Sequence, residues 1–418
     1  MKKLLILGAG TAGTMMANRL RRKLSANEWR IDIVDQYSKH YYQPGFLFMP
    51  FGIYSDKDVI KPKRKFIPGD VRYVEAKIDR IDGENNRVLF ESGEHLDYDV
   101  LIIATGVKIA PDQSEGMLGD DWRKRVFDFY TFEGASALRD ALPSWNGGKL
   151  VVHISEMPIK CPVAPLEFAF LADWWLTKRG LRNKSEIVYV TPLDGAFTKP
   201  IASKVLGHLL EKKRINVVTD FNIARVDNEQ HKIVSWDEKE VAYDLLVTVP
   251  TNMGDAAIER SGLGDELNFV ATDRRTLQSK QHQNIFVLGD ATDLPSSKAG
   301  SVAHFQSEGL SENILHYING EPLEPQFDGH ANCFIESGYG KAFLLDFNYD
   351  VQPVPGKYPS PFIGPFTLLR ETRLNHLGKM AFKWIYWNLL LKSVPMPGVG
   401  HQISCVGKKI PVEALQPA

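Results

Sequence analysis

Two groups of residues in this 418-residue chain have types and spacings that bear on chemistry. The first is Gly8-Ala9-Gly10-Thr11-Ala12-Gly13, which closes the apolar run Leu4 to Leu7 and opens a segment of helical period, Thr11 to Leu24. Gly8 permits a tight turn, Gly10 lets backbone approach a pyrophosphate, and Gly13 lets helix pack on strand, while the helix N-terminus offers free N–H groups to an anion. The next strand, Arg30 to Asp35, ends in an acid where a dinucleotide ribose needs an acceptor. The second group contains sulfur. Cys161 lies in the turn Ser155 to Glu167, close to the start of a helix whose dipole lowers a thiol pKa, and Glu167 follows six residues later. Cys333 stands far along the chain, in Asn332-Cys333-Phe334-Ile335-Glu336. On spacing alone, two buried inert thiols are the default reading of the pair, because free cysteine is commonly buried.

The elements that would position these residues repeat. Leu96 to Ile103 reads as a buried strand, and the small Ala104-Thr105-Gly106 at its end suits close backbone approach to a ligand. Tyr243 to Pro250 repeats that pattern, which supports two related halves. Asn284 to Leu288 runs into Gly289-Asp290, a carboxylate suited to a ribityl hydroxyl of FAD, and the helix opening at Gly300-Ser301 can aim its N–H groups at the electron-rich edge of a flavin. A second α/β unit starts at Lys149 to Ile154, but the turn after it has no glycine fingerprint. Pro158, Pro162 and Pro165 withhold N–H groups from a phosphate, and the strand Glu186 to Pro192 ends without a ribose-binding acid. This domain has the shape for nicotinamide binding without its chemistry. The fold class is therefore α/β, with two Rossmann-like dinucleotide-binding domains. An FAD domain covers 1–110 and 270–325, a degenerate NAD-type domain carrying Cys161 covers 111–269, and a C-terminal region carrying Cys333 and an amphipathic segment covers 326–418.

Composition narrows the function classes. Hydrophobic residues at 44% and charged residues at 24% are those of a globular protein, and a net charge of −1 leaves no broad basic field for nucleic acid. Three cysteines are too few for a disulfide scaffold. No signal peptide separates from the first strand, and no apolar run is long enough to cross a bilayer. The aromatic segment Tyr37 to Met49 either covers a cofactor or is a packed loop. Prolines cluster at Pro353, Pro355, Pro359, Pro361 and Pro365. Leu374 to Lys392 then reads as one amphipathic helix, with Leu374, Leu377, Ala381 and Trp384 on its apolar face and Lys379, Lys383 and Lys392 among its rings. Such a helix lies in a membrane interface with its lysines reaching anionic lipid, or it packs on its own domain or on a second copy.

The residues Gly8 to Gly13, Asp35, Ala104-Thr105-Gly106, Gly289-Asp290 and Ser297-Lys298-Ala299-Gly300, with Cys161, Glu167 and Cys333, together resemble the sulfide:quinone oxidoreductase family. The resemblance covers nearly the whole chain. It implies FAD, a disulfide or polysulfide bridge between Cys161 and Cys333 on one side of the flavin, and a quinone on the other. Hydrosulfide would open the bridge, leaving a persulfide on one cysteine and a thiolate on its partner, with two electrons passing through the flavin to quinone. Glu167 would serve as base or proton relay, and Lys298 would support the charge of reduced flavin. Phe334, Tyr339, Phe343 and Phe362 are candidates to line the quinone slot. The chain departs from some family members in lacking a third cysteine between Gly106 and Lys160. Cys405, in the tail, receives no role. The expected partners are sulfide, a membrane quinone, the membrane surface on its cytoplasmic side and possible further copies of the chain; no nucleic acid and no metal are expected. The competing readings are an alternative, non-pumping NADH:quinone dehydrogenase and a flavin-bound membrane adaptor without turnover.

Overall fold

The structure is a computed structural model that describes residues 1–414 apart from 361, 363, 397, 412 and 413, so Pro361 of the proline cluster lies outside the described residues. A five-stranded parallel sheet runs in the order Ile285–Val287, Val100–Ile103, Lys2–Leu7, Trp29–Asp35, Arg72–Glu75. The first strand is central because both of its faces are apolar. Leu4 and Ile6 face the helix Thr11–Lys23, while Leu5 and Leu7 enter a separate core with Ile81, Val88 and Leu263. Each such aliphatic side chain stabilises the fold by roughly 1.5–3 kcal/mol relative to exposure.

A second parallel sheet repeats the plan, in the order Val126–Phe127, Leu245–Val249, Gly148–Ile154, Ser185–Val190, Asn216–Val218. Its central strand Gly148–Ile154 corresponds to Lys2–Leu7, and Leu245–Val249 to Val100–Ile103, the relation expected from the repeated Tyr-Asp-leading strands. Each half also carries a three-stranded antiparallel sheet, spanning 78–97 in one and 223–242 in the other. The helix after Cys161 starts inside the stretch Ser155 to Glu167 that reads as a turn in the sequence. It spans Ala164–Lys178, because Pro165 falls in its first turn, where a missing N–H costs nothing.

Beyond the second half, the antiparallel hairpin Ala331–Gly338 and Lys341–Phe347 sets Cys333 opposite Leu345. The helix Arg373–Ile385 crosses this hairpin and then widens into a π-helical turn, Tyr386–Leu390, so the single helix expected through Lys392 ends earlier. The segment after it is fastened to the first helix of the chain. Asn18 donates to Leu391 O at 3.2 Å, Arg22 to Lys392 O at 2.9 Å and Ser393 O at 2.8 Å, and Ser393 Oγ to Met15 O at 2.9 Å. Among the described residues, no helix is long and apolar enough to cross a membrane.

Candidate active site

The glycine loop is built as its spacing requires. Gly8 has φ +94°, and a Cβ there would lie 2.4 Å from Ala104 O; a Cβ on Gly13 would lie 1.9 Å from Gly8 O. A Cβ on Gly10 would meet nothing within 4 Å, because this glycine opens into a cavity. Neither a capping side chain nor an acid occupies the first turn of Thr11–Lys23, so its N–H groups are available to an anion. Asp35 is fixed at the end of its strand, accepting from Ala9 N at 2.8 Å and Tyr37 N at 2.9 Å and pairing with Lys63 at 2.5 Å. Lys63, buried in the run Lys61-Pro62-Lys63-Arg64-Lys65, was not singled out from the sequence, where one lysine of a basic run looks like solvated surface. A second helix N-terminus converges on the loop, with a Cβ on Gly300 approaching Thr11 Cγ2 at 4.0 Å.

The cavity behind this loop has a volume of about 670 Å³ and is lined by Ala104, Thr105, Gly106, Gly289, Asp290, Ser301 and both cysteines. The Thr105 hydroxyl is buried without a partner, and Gly106 turns at φ +70°. These features fit a dinucleotide with a bulky ring end. Burial raises the Asp290 carboxyl above its ordinary range, against the pull of Lys298 and Lys160. Lys298 lines the same cavity. Its ammonium donates to Asp290 O at 3.0 Å and Thr292 O at 2.7 Å and lies 3.9 Å from the Phe269 ring centroid, while burial lowers it to about 8.

Cys161 sits in the left-handed region at φ +48°, held by its own N–H to Lys298 O at 2.6 Å and by Tyr130 OH donating to its carbonyl at 3.1 Å. Cys333 reaches the same cavity from the hairpin, and both thiols are free. Burial, and then the neighbouring Glu167, push the Cys161 thiol up to about 12, against the opposing effects of Lys379 and the Ala164 N–H. Burial and then Cys161 push the Cys333 thiol up as well, which places the two sulfurs within electrostatic reach of one another.

Glu167 is fully buried on the cavity wall. Its Oε1 accepts from Glu336 N at 2.6 Å and from Lys379 Nζ at 2.7 Å, and its Oε2 has no partner. Burial raises this carboxyl, with Lys379 opposing. Lys379 also donates to Phe334 O at 3.0 Å and is 12% exposed. Burial would lower its ammonium, but Glu167 and then Cys161 hold it above its ordinary value. The expectation that this lysine reaches lipid is therefore corrected. Lys379 shares its helix face with Asn375, Phe382 and Tyr386, and that face packs inward; Lys383 likewise turns to Asp58 at 2.6 Å. Spacing of four residues from Asn375 and three from Phe382 was the available signal.

Of the four rings considered for an acceptor slot, Phe334 lines the cavity. Phe343 is packed in the hairpin core, Tyr339 bonds Asp173 and Thr177 elsewhere, and Phe362 is 88% exposed. Phe46, Leu47 and Phe382 complete the apolar wall. Tyr386, one of the rings of the amphipathic segment, is buried and places its hydroxyl 2.7 Å from Thr11 Oγ1 and 2.7 Å from His40 Nε2; burial and then Lys63 push His40 down to about 3, so it is neutral.

Residues 2–152 match the pyridine nucleotide-disulphide oxidoreductase family. The chain is 28% identical over 396 residues to the mitochondrial sulfide:quinone oxidoreductase of Dictyostelium discoideum, covering 93% of this chain and 86% of that one. It is 24% identical over 396 residues to a type II NADH:quinone oxidoreductase of Staphylococcus aureus, covering 85% and 92%. Its fold matches the crystal structure of the sulfide:quinone oxidoreductase of Aquifex aeolicus with a TM-score of 0.77 and 20% identity, over 95% of this chain and 93% of that one.

Proposed function

We propose that this chain is an FAD-dependent sulfide:quinone oxidoreductase that uses Cys161 and Cys333 as its redox pair. The observation that carries the reading is that these two cysteines, from distant parts of the chain, line with Glu167 the same cavity into which the glycine loop opens. When bound, FAD supplies the two-electron relay between the sulfur side and the quinone; Gly8 to Gly13, Asp35, Ala104 to Gly106, Gly289, Asp290 and the Gly300-Ser301 helix start would hold it. In the oxidised pair, hydrosulfide attacks one sulfur, the Cys161–Cys333 bond breaks, and a persulfide forms on one cysteine with a thiolate on its partner. Glu167, with one carboxyl oxygen unpartnered in an apolar wall, takes the proton that the attacking sulfur releases. Lys379 balances the negative charge that then accumulates beside both thiols. The sulfane sulfur leaves to a soluble acceptor or grows as polysulfide.

The NADH reading is weakened by the turn after Gly148–Ile154, where a second fingerprint would cradle a pyrophosphate. There the Lys160 N–H is given to Asn252 Oδ1 at 3.1 Å, the Cys161 N–H to Lys298 O at 2.6 Å and the Ala164 N–H to Cys161 O at 2.9 Å, so these three amides are already engaged. Membrane attachment is part of the proposal. Leu374, Leu377 at 61% exposure and Trp384 at 60% form an outward apolar stripe, and Lys61, Lys65 and Lys392 gather as cations that an anionic lipid surface would meet. The deciding experiment is anaerobic: sulfide should bleach the flavin quickly, and rapid bleaching by NADH alone would overturn the assignment.

A further inference from the structure

Hydrosulfide is an anion, and the cavity it must enter already carries acids. Asp290 and Glu167 line it, and one oxygen of Glu167 has no partner. An incoming anion needs a cation with donors to spare. An ammonium has three N–H donors, so the three cavity lysines that adjoin the cysteines differ in what each already holds. Lys379 gives one donor to Glu167 and one to Phe334 O. Lys298 gives two, to Asp290 O and Thr292 O, and is 6% exposed. Lys160 gives one, to the neutral side-chain carbonyl of Gln43 at 2.9 Å, and pairs with no carboxylate among the described residues. Two of its donors stay open.

Lys160 also stands at the reacting sulfur. It directly precedes Cys161, and the backbone there is pinned by Lys160 N–H donating to Asn252 Oδ1 at 3.1 Å and Cys161 N–H to Lys298 O at 2.6 Å. Its Nζ lies 5.7 Å from the centroid of the Tyr130 ring, whose hydroxyl donates to Cys161 O at 3.1 Å. The residue is half-buried, and it lines the cavity together with Gln43, so it meets solvent and interior at once. Burial lowers its ammonium, while Asp290, Asp128 and then Cys161 act the other way, which puts the Cys161 sulfur within its electrostatic reach.

We propose that Lys160 captures hydrosulfide from solvent and holds it against the Cys161–Cys333 pair, an inference that rests on the sulfide reading above. The anion takes the two open donors of the Lys160 ammonium, and Gln43, holding the third, fixes the direction in which they point. No bond forms or breaks in this step; attack on the bridge follows it.

The test follows bleaching of the flavin-loaded protein by sulfide in anaerobic stopped flow over a range of ionic strength. In Lys160→Met the second-order rate constant at low salt should fall by about tenfold or more, and its decline with added salt, steep in the unaltered protein, should flatten. Lys160→Arg should keep the salt dependence and lose no more than about threefold. Gln43→Glu leaves Lys160 in place but sets a carboxylate against it, and should slow the sulfide step as Lys160→Met does. Flavin content, and reoxidation of dithionite-reduced protein by a water-soluble short-chain quinone, should stay within about twofold in all three variants. A readout without sulfide is alkylation of Cys161 in the reduced protein, followed by peptide mass spectrometry. The rate with anionic iodoacetate relative to neutral iodoacetamide should fall at least about threefold in Lys160→Met. A rate constant or an alkylation ratio equal to that of the unaltered protein, or slowing with the full salt dependence retained, overturns the inference. If sulfide fails to bleach the unaltered protein while the alkylation ratio falls as stated, the sulfide assignment falls and the anion site stands.

Discussion

Replacing Lys379 with methionine removes one half of a buried ion pair and leaves Glu167 on an apolar wall with a single donor, Glu336 N. Breaking such a pair on one side costs about 3–5 kcal/mol. For 418 residues, an unfolding entropy of about 2.1 cal/mol/K per residue converts that loss into a fall in Tm of roughly 3–6 °C. The loss should depend on pH with a definite sign. Burial already raises the Glu167 carboxyl, and removal of its cation raises it further. A carboxyl that binds its proton more tightly when folded contributes full stability below its unfolded value, near 4.3, and loses it as pH rises toward the folded value, by up to about 1.4 kcal/mol per pH unit. The deficit of Lys379→Met should therefore be small at pH 5 and large at pH 8, read by calorimetry on flavin-loaded protein. Glu167→Gln combined with Lys379→Met should recover most of the loss, because no unpaired charge remains. A deficit that is flat with pH, or a double variant as unstable as the single one, would refute the reasoning.

Other outcomes follow from the same geometry. Gly13→Ala forces a methyl to within 1.9 Å of Gly8 O, so purified protein should carry little flavin by absorbance, whereas Gly10→Ala, facing open space, should fold normally and weaken only retention of the cofactor. Cys161→Ser and Cys333→Ser should each abolish bleaching by sulfide and leave bleaching by dithionite intact, which an adaptor without turnover would not distinguish. Leu377→Glu should reduce binding to vesicles of anionic phospholipid at least about tenfold in a sedimentation assay, given roughly 1.5–3 kcal/mol for a fully buried leucine, with turnover on a soluble quinone preserved. Equal binding of variant and parent would remove the membrane proposal.

What was legible in the sequence was local. Gly8 and Gly13 answer to the carbonyls of Ala104 and Gly8, contacts fixed once a strand, a turn and a helix follow one another. The parallel order of the two sheets followed from buried strands separated by helices. The environment of the thiols was not legible, because the position of Cys161 near a helix start predicts a lowered pKa, whereas burial and a carboxylate six residues on decide the outcome. Lys379 was hidden for a related reason. A lysine bordering an apolar stripe reads as a surface cation until Asn375 and Phe382 are seen facing inward, and the same helix does expose Leu374, Leu377 and Trp384 as expected.

The fastening of the segment after Arg373–Ile385 to the helix Thr11–Lys23 bears on how the polypeptide matures. Thr11, Asn18 and Arg22 find hydroxyl or carbonyl partners in Tyr386, Leu391, Lys392 and Ser393, some 370 positions away. A ribosome-bound nascent chain can assemble the glycine turn early, yet it cannot seal that turn until nearly all of it has been synthesised. Contacts of such sequence separation slow folding and leave the first helix awaiting its last strap. Cofactor loading is thereby tied to completion of translation, and truncated products would emerge as leaky containers for the nucleotide.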